Sequence, residues 1–345
     1  MKKVAIRADG SPNIGTGHIQ RCLALSSQLQ KEGMEVLFIT KGNKLIKAKI
    51  KQEGFEVVEL NDNLNLEEDL EHTVKTIKNS KVDGLITDSY EFDEKYLTKL
   101  KKEIRLLVSI DDLAEISFPS DIVINQNIFA KELTYRSTGK TKFVLGPQYA
   151  LMRKEFSNFR KRKINEKVQN MLVTLGGSDP FNLTPRILSG LDKMGEDFSI
   201  TAVIGHFFNN VSEIERVVEK MDKKVEFIHS SPQMANLMLS SDLAITGGGT
   251  TLYELAATGT PALAFCLADN QCKNVKGMAK VGTVIDMGWG SEFNEENFYK
   301  KISGLMKDYM LRTKMSKLGQ ELVDGKGTSR CTEVILREEP LLREI

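Results

Sequence analysis

The stretch DLAITGGGTTLYELAATGTPALAFCLADNQ, residues 242–271, decides the fold. An apolar run enters three consecutive glycines, Gly247 to Gly249. Thr250 then opens a short helical pattern that stops at Gly259 and Pro261, and a second apolar run follows. Apolar runs separated by a helix predict a parallel sheet with helices on its faces. Glycines at the end of such a strand let a backbone approach a ligand closely. The following helix N-terminus offers unpaired N–H groups and partial positive charge to a phosphate. Thr250 and Thr251 add hydroxyls. Glu254, one turn later on the same helix face, can accept two hydrogen bonds from a vicinal diol such as a ribose. A tight turn with a capping threonine is the purely structural alternative. Gly248, Gly249, Thr250, Thr251, Glu254 and the downstream Asn270–Gln271 pair together favour a ligand.

The same theme occurs twice more. VQNMLVTLGGSDPFN (168–182) is a strand, a glycine turn and a helix start, and KVAIRAD near the N-terminus is a strand followed by glycines and a helix from about His18 to Lys31. Gly33 then stands where a C-terminal helix cap belongs. Further strands are expected at EVLFIT, GFEVVEL, VDGLITD, IRLLVSIDD and SDIVINQN, with a polar helix over Leu66 to Asn79. The second half adds FSITAVIG, VEFIHS, SDLAITGGG, TPALAFCL and GTVIDMG, then a helical C-terminus. Basic residues 153–167 read as a connector. The expected architecture is α/β, with two doubly wound Rossmann-like domains, 1–155 and 168–345, facing each other across a cleft. Ligands of such sheets bind beyond the carboxyl ends of the strands.

Composition narrows the function. The chain has 345 residues, with 48 Lys+Arg against 47 Asp+Glu, which leaves no basic footprint for nucleic acid. Four scattered cysteines, Cys22, Cys266, Cys272 and Cys331, show no metal-ligand spacing, so no metal site is expected and reduced thiols are. No run of about 18 apolar residues exists for a membrane span, and MKKVAIRADG reads as a first strand instead of a signal peptide. Cytoplasmic residence follows as an expectation. The stretch KGNKLIKAKIKQEG (41–54), basic with Leu45, Ile46 and Ile50, leaves a weak peripheral contact open.

The first glycine turn, in NIGTGHIQRC (13–22), carries an imidazole, His18, after Gly15 and Gly17. A dinucleotide fingerprint is not complete there: Gln20 stands where a third glycine belongs, and the second strand ends in Thr40 and Lys41 instead of an acid. No Gly-Lys-Ser/Thr follows GGSDP, so a P-loop is excluded as well. Gly15 and Gly17 would let a sugar and a water come close, and His18, with an ordinary pKa of ~6.5, suits a general base near neutral pH. Asp9, Asp88, Asp111 and Asp112 end first-half strands and could bind sugar or satisfy loop N–H groups. Arg7, odd in a buried strand, should pair with one of them. His72 reads as solvated, whereas His206 and His229 end strands and could reach the cleft.

Seven segments carry a family resemblance: IRADGSPNIGTGHIQRCLALS (6–26), TDSYEFD (87–93), IDDLA (110–114), VINQN (123–127), GPQYALMRKEF (146–156), TLGGSDPFNLT (174–184) and ITGGGTTLYELAATGTPALAFCLADNQ (245–271). The chain resembles the UDP-sugar hydrolases of the pseudaminic acid pathway, which act on UDP-2,4-diacetamido-2,4,6-trideoxy-β-L-altropyranose, and the related spore coat polysaccharide proteins. That family is similar to the MurG-type glycosyltransferases and shares their GT-B fold. The resemblance implies that His18 is the catalytic histidine. It implies that Gly248–Thr251 and Glu254 hold the UDP diphosphate and ribose, and that Tyr90, Asn270 and Gln271 line the sugar pocket. Gly176, Gly177 and Ser178 would form a second loop by the nucleotide. The pseudaminic hydrolases are shorter than this chain, whose extra material includes the acidic helix near residues 61–79.

The implied reaction is hydrolysis at the anomeric carbon. A glycine loop stabilises charge growing on the diphosphate, and one histidine activates water on one face, which should invert the centre. That chemistry requires no cofactor. The partner is a small UDP-sugar, and a monomer or weak dimer is expected. The rival readings are a glycosyltransferase with a glycan or lipid acceptor in place of water, and a nucleotide-sugar binding protein without chemistry. His18 argues against the last, since binding alone needs no base.

Overall fold

The strand–glycine–helix themes fold into two parallel sheets. This computed structural model describes residues 2–10, 17–41, 44–157, 159–205 and 207–341. The chain divides into one unit of Met1–Lys154 with Lys326–Ile345, and a second of Glu155–Gly325.

In the first unit the order is β1 (Lys3–Ala8), α1 (Gly17–Lys31), β2 (Glu35–Thr40), α2 (Lys44–Gln52), β3 (Glu56–Glu59), α3 (Leu66–Asn79), β4 (Gly84–Asp88), α4 (Glu94–Glu103), β5 (Leu106–Ile110), β6 (Ser117–Phe118), β7 (Ile122–Asn125), β8 (Arg136–Ser137) and β9 (Lys142–Leu145). Its main sheet runs β3-β2-β1-β4-β5-β7-β9, all parallel, with β6 and β8 paired apart. From Val4 to Ala8 every residue of β1 is buried, as expected for a parallel strand covered on both faces. The strand order reverses between β1 and β4, and that switch point is where doubly wound sheets open a crevice at their carboxyl ends. Asn65 starts α3 with a capping box, its side chain accepting from the Glu67 and Glu68 N–H groups while Glu68 reaches back to the Asn65 N–H. The face this fixes buries Asp69, Leu70, Thr73 and Ile77.

The second unit follows with β10 (Asn170–Thr174), α5 (Leu183–Asp192), β11 (Ser199–Ile204), α6 (Val211–Val218), β12 (Val225–His229), α7 (Met234–Ser240), β13 (Leu243–Gly247), α8 (Thr251–Thr258), β14 (Ala262–Cys266), α9 (Asp269–Val281), β15 (Val284–Trp289), α10 (Glu295–Lys307) and α11 (Tyr309–Leu322); the last helix is α12 (Gly327–Leu341). The sheet order β12-β11-β10-β13-β14-β15 puts the switch point between β10 and β13, the strands that lead into the two predicted glycine loops. Its core joins Leu243, Ile245, Leu263 and Phe265 of the sheet to Leu183, Ile187 and Phe298 of the helices.

Two expected boundaries are corrected. The second domain was expected to reach residue 345, but α12 belongs to the first unit. There it packs on α1, buries Cys331 and Ile335, and holds Met152 N–H through Thr328 Oγ1 at 2.9 Å. Its apolar face explains the return. The stretch read as a connector is not separate from the second unit. From Glu155 on it belongs to the second unit, with Phe156 and Ile164 buried. The Arg162 guanidinium caps the end of α7 by donating to the carbonyls of Met238 and Ser241. A basic side chain spent on helix-end carbonyls looks, in sequence, like a surface charge.

Candidate active site

His18 is the second residue of α1 and is 6% exposed. Its Nδ1 lies 3.2 Å from Oδ1 of Asp88, the last residue of β4, without the alignment of a formed hydrogen bond. The switch point thus brings these two together. Arg21, three residues on and on the same helix face, grips both oxygens of Asp88 at 2.7 and 2.6 Å and both of Asp112 at 2.9 and 3.0 Å. Asp112 also accepts from the Tyr90 hydroxyl at 2.8 Å and Asn127 Nδ2 at 2.6 Å. The Tyr90 ring meets the His18 ring edge-on, 4.6 Å between centroids.

Two carboxylates against one guanidinium leave this buried cluster with a single negative charge when the imidazole is neutral. Burial alone would lower Arg21, but Asp112 and Asp88 outweigh it and hold the guanidinium well above its usual value. Burial would likewise raise Asp112, yet Arg21 beside it keeps the carboxyl well below the usual range. Arg21 and Asp112 are therefore held in their charged forms, and Asp88, gripped by Arg21, turns its Oδ1 toward His18 Nδ1. Such a carboxylate favours the tautomer protonated at Nδ1, leaves Nε2 as acceptor, and stabilises the imidazolium that forms on accepting a proton.

Asp9 is placed differently from the sugar contact expected of it. Its Oδ1 pairs with Arg7 at 2.5 Å and accepts the Lys41 N–H at 2.7 Å. Arg7, fully buried, turns its other nitrogens to Asp69 of α3, which also takes Lys41 Nζ at 2.8 Å and the Tyr96 hydroxyl at 2.7 Å. The acidic helix noted as extra material thus supplies the counter-ion of the first strand.

In the second unit the loop after β13 is built for close approach. A Cβ on Gly248 would lie 2.5 Å from Val275 Cγ2, and one on Gly247 would lie 2.8 Å from the Leu175 carbonyl oxygen; one on Gly249 would meet nothing closer than 4.0 Å. Gln271 Oε1 accepts the N–H groups of Gly248 at 3.0 Å and Leu267 at 3.2 Å. This carboxamide, expected in a sugar pocket, has its oxygen committed to the shape of the loop. Among the described residues the N–H groups of Gly249, Thr250 and Thr251 have no protein acceptor, and Thr250 makes no side-chain cap. They form a ready anion cradle. Glu254 is half-buried in the first turn of α8, and Asn270 is exposed at the start of α9.

The loop at Gly176, Gly177 and Ser178 is closed by comparison. Asp179 already takes the Leu183 and Thr184 N–H groups at the start of α5, at 2.8 and 2.7 Å. The Gly177 carbonyl accepts from Phe207, and the 176–177 carbonyls leave no room for a side chain at Gly205. With its own carboxylate in place, α5 does not offer the anion site that α8 does. Gly17 opens α1 with nothing within 4 Å of a Cβ, while Gly15 and His206 lie outside the described residues. His72 and His229 are exposed. Asp111 accepts the N–H groups of Leu113 and Ala114 and the Tyr135 hydroxyl.

Comparison with known proteins fits this geometry. Residues 171–326 match the glycosyltransferase family 28 C-terminal domain. The chain is 33% identical over 273 residues to an uncharacterised protein of Methanocaldococcus jannaschii, covering 76% of this chain and 55% of that one. It is 29% identical to the spore coat polysaccharide biosynthesis protein SpsG of Bacillus subtilis, over 96% and 97% of the two chains. It is 27% identical to the UDP-2,4-diacetamido-2,4,6-trideoxy-β-L-altropyranose hydrolase of Campylobacter jejuni, over 82% and 98%. The MurG crystal structure from Acinetobacter baumannii superposes with a TM-score of 0.75 at 17% identity, covering 98% and 100%. Along most of its length the chain is similar to the spore coat polysaccharide protein and to the pseudaminic acid pathway hydrolase. Its fold is the α/β GT-B fold of the MurG-type glycosyltransferases. Among the described residues no helix is long and apolar enough to cross a membrane.

The family segments span the site, yet Arg21 was not singled out in sequence. The signal was present: His18, Arg21, Cys22 and Leu25 lie at helical spacing on the buried face of α1, and an arginine on such a face requires a buried carboxylate. Asp69 carries the same signal in reverse.

Proposed function

We propose that this protein hydrolyses a UDP-linked amino-deoxy sugar at its anomeric carbon, releasing UDP and the free sugar for nonulosonate or surface-polysaccharide synthesis. The observation that carries the reading is the placement of His18 against Asp88, with Arg21 fixing that carboxylate. A binding protein has no need of an oriented imidazole backed by a buried negative charge.

In this reading the Gly248–Thr251 loop holds the diphosphate on the free N–H groups of α8, and Glu254 takes the ribose hydroxyls. Growing charge on the leaving UDP meets fixed donors, each worth ~2.7–4 kcal/mol by analogy with oxyanion holes. His18 Nε2 removes a proton from water as its oxygen bonds to C1. The C1–O bond to UDP breaks, and the imidazolium is held by Asp88. Attack on the face opposite the leaving group inverts C1. Tyr90 and Asn270 would contact the sugar, and Gln271 keeps the loop in shape. Support comes from the hydrolase named among the relatives. The M. jannaschii relative is nearly twice as long as the stretch matched here.

The family 28 match and the MurG-like fold support a second reading, in which His18 deprotonates an acceptor hydroxyl instead of water. Incubation with UDP-2,4-diacetamido-2,4,6-trideoxy-β-L-altropyranose and no acceptor, followed by phosphorus NMR, separates the two. Release of UDP supports hydrolysis, and its absence supports transfer. Water labelled with oxygen-18 should put label in the sugar; label in UDP would exclude attack at C1.

A further inference from the structure

A cavity of about 50 Å³ opens beside the proposed base in the first unit, at the carboxyl ends of β4 and β5. Its lining combines the apolar Phe92, Leu97, Ile116 and Phe118 with the polar Thr87, Ser89, Ser109, Asp111 and Glu115. Tyr90 lines it too, and the same ring meets His18 edge-on at 4.6 Å. A group seated in the cavity would therefore be tethered next to His18.

The lining specifies the group. Oδ2 of Asp111 is fully engaged, accepting Leu113 N–H at 3.0 Å, Ala114 N–H at 2.8 Å and the Tyr135 hydroxyl at 2.8 Å. Oδ1 takes none of these three donors. Ala114 holds a left-handed backbone, φ 57°, in the turn that brings its N–H to this carboxylate. Ser89 Oγ accepts from Glu91 N–H at 3.2 Å, so its own hydrogen is directed to an acceptor elsewhere. Thr87 and Ser109, which also line the cavity, are hydrogen-bonded to each other and to the Val108 carbonyl and Ser120. The Glu115 side chain is exposed, so Asp111 Oδ1 and the Ser89 hydroxyl are the acceptor and donor left beside the cavity's apolar lining. At about 10–15 Å³ for each water-sized group, its volume holds about four heavy atoms. A hydroxyl would fill a quarter of that and leave the wall bare, and a phosphate or carboxylate would face Asp111.

We infer that this cavity is the subsite for one acetamido substituent of the sugar, its N–H on Asp111 Oδ1, its carbonyl on Ser89 and its methyl against Phe92, Leu97, Ile116 and Phe118. The group has four heavy atoms with that pattern of donor, acceptor and methyl. The inference rests on the reading of the substrate as a UDP-linked amino sugar, and it adds which part of the sugar the first unit recognises. Substrate would be chosen by its acetyl group in this unit and by its nucleotide in the other.

The test uses the free sugar product carrying a carbon-13 label in one acetyl methyl at a time, with the wild-type protein and with Ile116→Trp and Asp111→Asn. Ile116 is partly buried and packs against the core cluster that includes Phe92, Leu97 and Phe118, so a larger ring at this position takes up the cavity. UDP affinity and thermal melting of each variant report that it is folded. On wild type one methyl signal, not both, should move upfield in the ring currents of Phe92 and Phe118. Ile116→Trp should abolish the shift, and Asp111→Asn should weaken binding about tenfold. In turnover, replacing that acetamido by formamido should lower kcat/KM at least about tenfold in wild type and change little in Ile116→Trp. A folded Ile116→Trp that keeps the methyl shift or the acetyl preference overturns the inference, as does a wild type that shifts neither methyl. If wild type shifts one methyl yet releases no UDP, the hydrolase reading fails and the subsite stands. UDP release without any methyl shift leaves the reaction and removes the subsite.

Discussion

Nδ1 of His18 lies 3.2 Å from Oδ1 of Asp88, and Arg21 holds both oxygens of that carboxylate. The carboxylate cannot rotate away from the ring without abandoning the guanidinium. Asp88→Asn keeps the shape but removes the charge that orients and stabilises the imidazole. Turnover should fall at least ~100-fold with UDP affinity unchanged, measured by steady-state kinetics and calorimetric titration. Equal losses in kcat and UDP binding would instead make Asp88 part of the nucleotide site.

Arg21 is 4% exposed between two carboxylates. Arg21→Met leaves Asp88 and Asp112 buried without their counter-ion, and breaking such a buried pair costs about 3–5 kcal/mol. Urea denaturation should show that loss. A change below about 1 kcal/mol would mean that water already screens the cluster.

Acid should weaken the first unit in a defined window. Asp69, fully buried between Arg7 and Lys41, is held at about 2 against an ordinary 3.8. Burial alone would raise it, but hydrogen bonds and charge from Arg7, then Lys41 and Tyr96, outweigh that. A carboxyl depressed on folding stabilises above its unfolded value, and its contribution of about 2 kcal/mol is lost as pH falls from 3.8 towards 2. Asp112 adds to the same slope at still lower pH. Urea midpoints measured from pH 6 down to about 2 should fall steeply in wild type and less in Asp69→Asn. Parallel curves for the two proteins would contradict the assignment.

The sheets, the doubly wound order and the glycine loops were legible in the sequence because continuous apolar runs and glycines are local signals. The acidic helix was placed at residues 66–79, the observed bounds of α3. What stayed hidden depends on distant partners. Arg7 called for an acid in advance, but its pairing with Asp69, 62 positions away, is fixed only by packing. The return of α12 to the first unit is likewise a tertiary choice, invisible in a helix pattern that suits either unit. Gln271 read as a pocket residue because a carboxamide beside glycines serves a ligand and a loop equally well; its bonds to Gly248 and Leu267 show the loop role.

Gln271→Ala should therefore act on binding. It leaves the Gly248 and Leu267 N–H groups without their acceptor, which costs about 1–3 kcal/mol when buried. UDP affinity should drop about tenfold or more by calorimetry, with kcat at saturation nearly kept. A fall in kcat with UDP affinity intact would return Gln271 to the sugar.

The most direct measurement of the central claim is acceptor-free UDP release by wild type and by His18→Asn, followed by phosphorus NMR at equal UDP-sugar saturation, with UDP affinity taken on both proteins. The account predicts release by wild type, a rate at least ~100-fold lower in the variant, and UDP affinities that agree within about threefold, a difference under ~1 kcal/mol. Release by His18→Asn at the wild-type rate would contradict the assignment of His18 as the base.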